Sequence, residues 1–145
     1  MTILRAGTVL YHGTAEPDFD ESDDGLDGPA WLSDSPLVAE RFARRNASGS
    51  ASRPRVLSYT LEVDVELHLI RSTVDIEMLA EEHGISFDGV EEMRDSVSDS
   101  GIPGWVIPNN YPEGADILIA DTGVLRYVQT AVLDVPAPAR RMRPR

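Results

Sequence analysis

The sequence predicts an α+β fold, and three observations carry that prediction. Val56 to Ile70 alternates residue by residue, with Leu57, Tyr59, Leu61, Val63, Val65, Leu67 and Leu69 on one side. That is the period of a strand, or a strand pair, with one buried face. Helical spacing appears in separate stretches, at Pro36 to Arg45, Thr73 to His83 and, more weakly, Asp88 to Val97. Strands lead, helices are inserted and strands close the chain, an order that belongs to α+β rather than to repeated βαβ units.

Taken in order, Thr2 to Gly7 is a lead-in, and Thr8 to His12 reads as a strand from its β-branched and aromatic residues. Glu16 to Gly28 is dense in Asp and Glu and reads as a solvated loop. Its Asp20 to Gly25 run begins like a calcium loop, but the twelfth position is Trp31 rather than a bidentate Glu. Trp31 to Ser33 is a short strand. Ser35-Pro36 then opens a helix with an N-cap residue and a first-turn proline. On that helix Leu37, Val38, Arg41 and Phe42 share a face, and Ala39 and Ala43 keep a second face small. Asn46 to Pro54 is a Ser/Gly/Ala loop.

Gly84 stops the helix beginning at Thr73. A turn at Ser100 to Gly104 precedes the strand Trp105 to Ile107, and Pro108 to Gly114 is rich in turn formers. Ala115 to Ala120 is a buried strand carrying Asp116, and Val124 to Leu133 is the last strand. Residues 1–135 form one domain, and 136–145 make a Pro/Arg tail expected to be disordered.

Composition excludes several classes. The chain has 145 residues, enough for one core of its own. No run approaches the roughly 20 apolar residues of a membrane span, and Met1 to Gly7 has no apolar signal region. With no cysteine there is no disulfide, thiolate nucleophile or cysteine zinc site, which leads us to expect a reducing cytoplasm. The formal charge of −12 disfavours clamping of phosphate backbones. All 13 basic residues are arginine, so Schiff-base catalysis by lysine is excluded.

Three pieces carry chemistry if they converge: His12-Gly13-Thr14, the stretch from Trp31 to Phe42, and Glu113-Gly114-Ala115-Asp116. Each also has a plain reading. His12 is then a hydrogen-bonded histidine at a strand end, Trp31 and Phe42 are core aromatics, Asp116 is a turn residue and Glu113 a surface carboxylate. The acidic strand face of Glu62, Asp64 and Glu66 reads as solvent-exposed.

In order and spacing, Val-Leu-Tyr-His-Gly-Thr followed by Trp-Leu-Ser-Asp-Ser-Pro-Leu-Val-Ala-Glu-Arg-Phe-Ala resembles the ADP-ribosyltransferase superfamily. The likeness is to its His-Tyr-Glu branch, which includes poly-ADP-ribose polymerases and diphtheria-type toxins. It covers the first third of the chain well and Trp105 to Ile119 more loosely; the middle has no counterpart. The resemblance implies two packed, mostly antiparallel sheets with flanking helices and a cleft. It implies NAD+ as substrate, without a metal.

By position, His12 would bond the adenine-side ribose, Gly13 would pair its backbone with the nicotinamide carboxamide, and Thr14 would hold the same region. Trp31 and Phe42 would sandwich the nicotinamide ring, as flat rings are held between aromatic faces. Ser33 would support the sheet or the carboxamide. The family carboxylate is usually Glu; here Asp116 takes its place, with Glu113 as the alternative. Such a group stabilises the positive charge that develops on the ribose as the N-glycosidic bond breaks.

The loop carrying Asn109, Asn110 and Tyr111 stands where the superfamily recognises its acceptor, though an ordinary turn is the equal alternative. The Glu-x-x-Asp spacing, in place of Glu-x-Glu, argues against arginine as acceptor. The function so implied is a mono-ADP-ribosyltransferase acting on a protein acceptor, in the manner of small bacterial or phage effectors and toxins. Two alternatives stand beside it. One is transfer involving nucleic acid through the basic stretch Arg41 to Arg55 or the tail; the other is a catalytically silent nucleotide- or protein-binding module.

Overall fold

The computed structural model describes residues 1–15, 26, 28–47, 53–85, 93 and 96–133. Its strands are β1 (Thr2–Leu4), β2 (Val9–Thr14), β3 (Ala30–Ser33), β4 (Arg55–Leu61), β5 (Val65–Leu69), β6 (Gly104–Tyr111), β7 (Gly114–Ile119) and β8 (Leu125–Val132). The helices are α1 (Pro36–Ala47), α2 (Thr73–Glu82) and the single turn α3 (Val97–Ser100), with a 3₁₀ turn at Thr122–Val124 before β8. The architecture is α+β. The calcium-like run at 20–25, most of the acidic helix expected from Asp88 and the tail 136–145 lie outside the described residues.

The strands join in the order β1-β5-β6-β7-β3-β2-β4-β8. Neighbours are antiparallel except β5 and β6, which run parallel. One hydrogen-bonded sheet therefore replaces the two separate sheets expected. The reason is a single residue pair. Among the described residues the β2–β3 ladder consists of Tyr11 opposite Ser33, whereas β3 pairs with β7 from Ala30–Ile119 to Ser33–Asp116.

The sheet is thus nearly divided at β2/β3, and its halves curl around one core. Leu10, Leu32, Leu57, Tyr59, Leu67 and Ile117 from five different strands meet there. The β2–β4 ladder continues beyond Val9: Gly7 N–H donates to Leu61 O at 2.8 Å, and Leu61 N–H to Thr8 O at 3.0 Å. A second core lies on the other face, where Ile76, Leu79 and Ala80 of α2 pack with Met93, Trp105 and Leu118.

Several elements depart from the sequence reading. The lead-in contains a strand, β1, paired with β5. Just after it, Asp64 accepts the Ala6 N–H at 2.7 Å and pairs with Arg5 at 3.2 Å. The alternating stretch breaks at Glu62–Asp64 into β4 and β5, which join different neighbours instead of each other. Leu57, Tyr59, Leu61 and Leu67 are buried and Glu62, Asp64 and Glu66 exposed, as read, but Val63 is exposed at the break, and Val56 and Ser58 on the opposite face of β4 are buried as well.

The expected loop over 108–114 is mostly strand. β6 continues to Tyr111, and its ladder with β7 breaks after Ile107–Asp116 and resumes at Tyr111–Gly114. Pro108, Asn109 and Asn110 therefore oppose Ala115 alone, a bulge that also suits a proline without an N–H. Helix α1 begins where the Ser35 cap predicts, with Ser35 Oγ accepting the Leu37 N–H at 3.2 Å. Its buried face is the small one, Val38, Ala39 and Ala43, while Leu37 is 55% exposed.

Candidate active site

His12, Gly13 and Thr14 do not follow a strand end. They continue β2, opposite Leu57, Val56 and Arg55 of β4. On the other edge they run past the last β3 partner, where the sheet divides. The His12 ring reaches back across that division, with Nδ1 2.8 Å from the Trp31 carbonyl oxygen. A carbonyl only accepts, so Nδ1 carries a proton and donates it to this bond.

The absence of a side chain at Gly13 has a cause in the fold. A Cβ there would stand 1.9 Å from the Ala39 carbonyl oxygen and 2.9 Å from the Ala43 nitrogen. The glycine and the alanine face of α1 therefore belong together, since they let the helix backbone rest on β2. The edge of Gly13 that faces the division is a separate matter, because its amide and carbonyl lie in the sheet plane.

The corner between β3 and α1 holds the start of β7. Ser33 Oγ donates to Ala115 O at 2.7 Å and accepts the Ser35 N–H at 3.1 Å. Asp34 Oδ1 accepts the Ala115 N–H at 3.0 Å. Ala115 is the residue that faces the β6 bulge, so side chains from the corner bind the backbone groups of β7 there. Gly114 makes room for this approach, as a Cβ would lie 2.6 Å from that of Ser35. Of the two roles expected for Ser33, its hydroxyl serves the sheet.

Asp116 follows and is 4% exposed. It stands opposite Ser33 on one side and Ile107 on the other, and Asn110 Nδ2 donates to its Oδ2. Tyr11, Ser33 and Asp116 thus lie in line across three strands, two spacings or about 10 Å. Strand alternation puts Asp116 and Ser33 on the α1 side, because Ala115 and Ile117 turn into the inner core. The same alternation puts His12 on the Leu10 side of β2.

Around Asp116 the tip of the β6–β7 hairpin closes against α1. Arg41 pairs with Glu113, whose Oε1 is buried and has no hydrogen-bond partner among the described residues. Phe42 meets Tyr111 edge-on at 5.8 Å, and the Arg45 guanidinium lies 5.4 Å from the Phe42 ring centre. Trp31 turns the other way, to meet Trp105 at 6.1 Å beside the second core.

The structure accordingly assembles two groups. Asp116, Asn110, Tyr111, Glu113, Arg41 and Phe42 form one, and His12 with Trp31 and Gly13 forms the other, at the division of the sheet. The sandwich expected of Trp31 and Phe42 is not what their rings make here, for each has its own aromatic partner. Sequence reasoning missed Arg41 and Asp34. Arg41 sits 72 positions from Glu113 and Asp34 81 from Ala115, and no local pattern signals such pairs.

Among the described residues no cluster of three His, Asp or Glu could hold a metal ion, and no helix is long and apolar enough to cross a membrane. No protein-family model matches the chain, and no curated protein matches it. Among solved structures, it is similar to a chain of the M. tuberculosis MbcT–MbcA toxin–antitoxin complex, with a TM-score of 0.52 and 14% identity. The match covers 90% of this chain and 86% of that one. The likeness is one of fold.

Proposed function

We propose that this chain is an NAD+-cleaving mono-ADP-ribosyltransferase of toxin type, acting on a protein acceptor. The observation that carries the reading is the division of the sheet beside His12-Gly13-Thr14, with the buried carboxylate of Asp116 two strands away. Beyond Tyr11 the edge of β2 separates from β3, and a separated strand edge offers an amide N–H and a carbonyl in one plane. A carboxamide presents the complementary pair, so Gly13 is suited to hold nicotinamide as a strand edge holds a peptide.

In the proposed reaction the bond between the ribose C1′ and the pyridinium nitrogen breaks, and its electron pair goes to that nitrogen. Neutral nicotinamide leaves, and the sugar acquires oxocarbenium character. In this reading the Asp116 carboxylate, from the α1 side of the sheet, lowers the energy of that charge. A nucleophilic oxygen or nitrogen of the acceptor then bonds to C1′ and gives up its proton, for which Glu113 is the nearby base. His12 holds the adenine-side ribose, and Thr14 supports the carboxamide end.

Phe42 and Tyr111 supply aromatic surface beside Asp116, and Trp31 lies farther along the same face of the sheet, against Trp105. The similar fold occurs in a toxin–antitoxin complex. By that analogy the protein's partner is a cognate inhibitor that binds it as a folded chain.

Incubation with labelled NAD+ and a bacterial lysate tests the reading. Wild type should release nicotinamide and label a discrete protein band, while His12→Ala and Asp116→Ala should do neither. NAD+ consumption without a labelled band would replace the protein acceptor with water or another small nucleophile. Intact NAD+ throughout would sink the reaction altogether.

A further inference from the structure

We propose that Asn110 is a positioning residue for Asp116: its side-chain amide fixes the orientation of the carboxylate and keeps it ionised. The inference rests on the transferase reading above. It starts from the bulge. Because Pro108, Asn109 and Asn110 face Ala115 alone, the β6 ladder is out of step at Asn110, and its side chain turns across to Asp116. The residue is exposed, yet its Nδ2 reaches the Oδ2 of a carboxylate that is 4% exposed.

Burial alone favours the neutral acid, whereas an N–H donated to the carboxylate favours the anion. The donor is uncharged, and that matters. An arginine or lysine at this place would hold the carboxylate as firmly but cancel the negative charge that the developing oxocarbenium needs. The other ionisable groups on the elements around Asp116 are Glu40, Arg41, Arg44 and Arg45 of α1, Tyr111 of β6, Glu113 of the hairpin turn, Asp34 of the β3–α1 corner, and Tyr11 and His12 of β2, with His12 on the opposite face. Glu40 pairs with Arg44, and Arg45 lies over Phe42. Arg41 is engaged by Glu113, and Asp34 accepts the Ala115 N–H. Asn110 is therefore assigned away from acceptor recognition, for which Asn109, exposed on the same bulge, remains.

The test compares wild type with Asn110→Ala by two readouts: the ¹³C titration of the Asp116 carboxyl, and nicotinamide release as a function of pH. Loss of a hydrogen bond to a charged group should raise the Asp116 midpoint, and the acid limb of kcat with it, by about one to two pH units. KM for NAD+ should change little. An unmoved midpoint and limb in a folded variant would overturn the role of Asn110.

Should Asn110→Ala fail to fold, wild type alone decides. The side-chain amide signals of Asn110 should titrate with the Asp116 midpoint, and a flat response overturns the proposal. A wild type that releases no nicotinamide overturns the transferase reading. A normal wild-type rate with an unmoved limb in the variant overturns the Asn110 role alone.

Discussion

Gly13 lies directly beneath Ala39, so closely that a methyl group on the glycine would stand 1.9 Å from the alanine's carbonyl oxygen. Both partners are backbone, held by a strand ladder and a helix, and neither can rotate away. Gly13→Ala should therefore destabilise the fold by about 1–3 kcal/mol or more, as overpacking does. Urea denaturation checks this. An unchanged midpoint would mean that α1 does not rest on β2 as described.

Ser33→Ala removes a buried hydroxyl that both donates to Ala115 O and accepts from Ser35 N–H. Two backbone groups would lose their partner, at a cost of about 1–3 kcal/mol. Because Asp116 lies opposite Ser33, the variant should also slow nicotinamide release more than its melting temperature explains. Comparing rates well below the melting transition separates the two effects.

Asp116→Asn keeps the size of the side chain and removes its charge. On the proposed reaction it should lower kcat by roughly 10²-fold or more, the scale of losing one preorganised electrostatic partner. Binding of NAD+ should persist. A variant with wild-type kcat would exclude Asp116 and move attention to Glu113.

His68 gives a pH dependence remote from the site. Burial lowers its pKa from the ordinary 6.5, with the nearby His83 acting in the same direction and Glu82 and Glu66 opposing. A folded-state pKa below the unfolded one means that its contribution is complete above about pH 6.5 and is lost as the pH falls through the folded value. Melting temperatures between pH 7 and pH 5 should decline less in His68→Gln than in wild type. Parallel declines would refute the assignment.

Much of the fold was legible in the sequence for local reasons. Ser35-Pro36 marks the start of α1, Gly84 ends α2, and the Leu57-Tyr59-Leu61 alternation fixes an inward face. The errors are all non-local. Thr2–Leu4 is too short to signal a strand without its partner β5, and Asn109-Asn110 reads as a turn because the bulge that accommodates it depends on β7. Leu37 and Phe42 outrank alanine on any scale of apolarity, yet the helix buries the face that fits against Gly13. In the site, His12 and Asp116 are singled out through the resemblance of the motifs that carry them, whereas the contacts of Asn110 and Arg41 are made only across the sheet.

The strand that carries Asp116 takes its register from β3 and the serine–aspartate corner, while its ladder with β6 is interrupted at Ala115. The anchoring of the carboxylate and the shape of the hairpin tip are therefore mechanically separable. Residues at the tip can be lengthened, shortened or exchanged without shifting β7, provided the amide at Asn110 is kept. A lineage of such chains could change what it grips through insertions at the Pro112-Glu113 turn while leaving its chemistry in place.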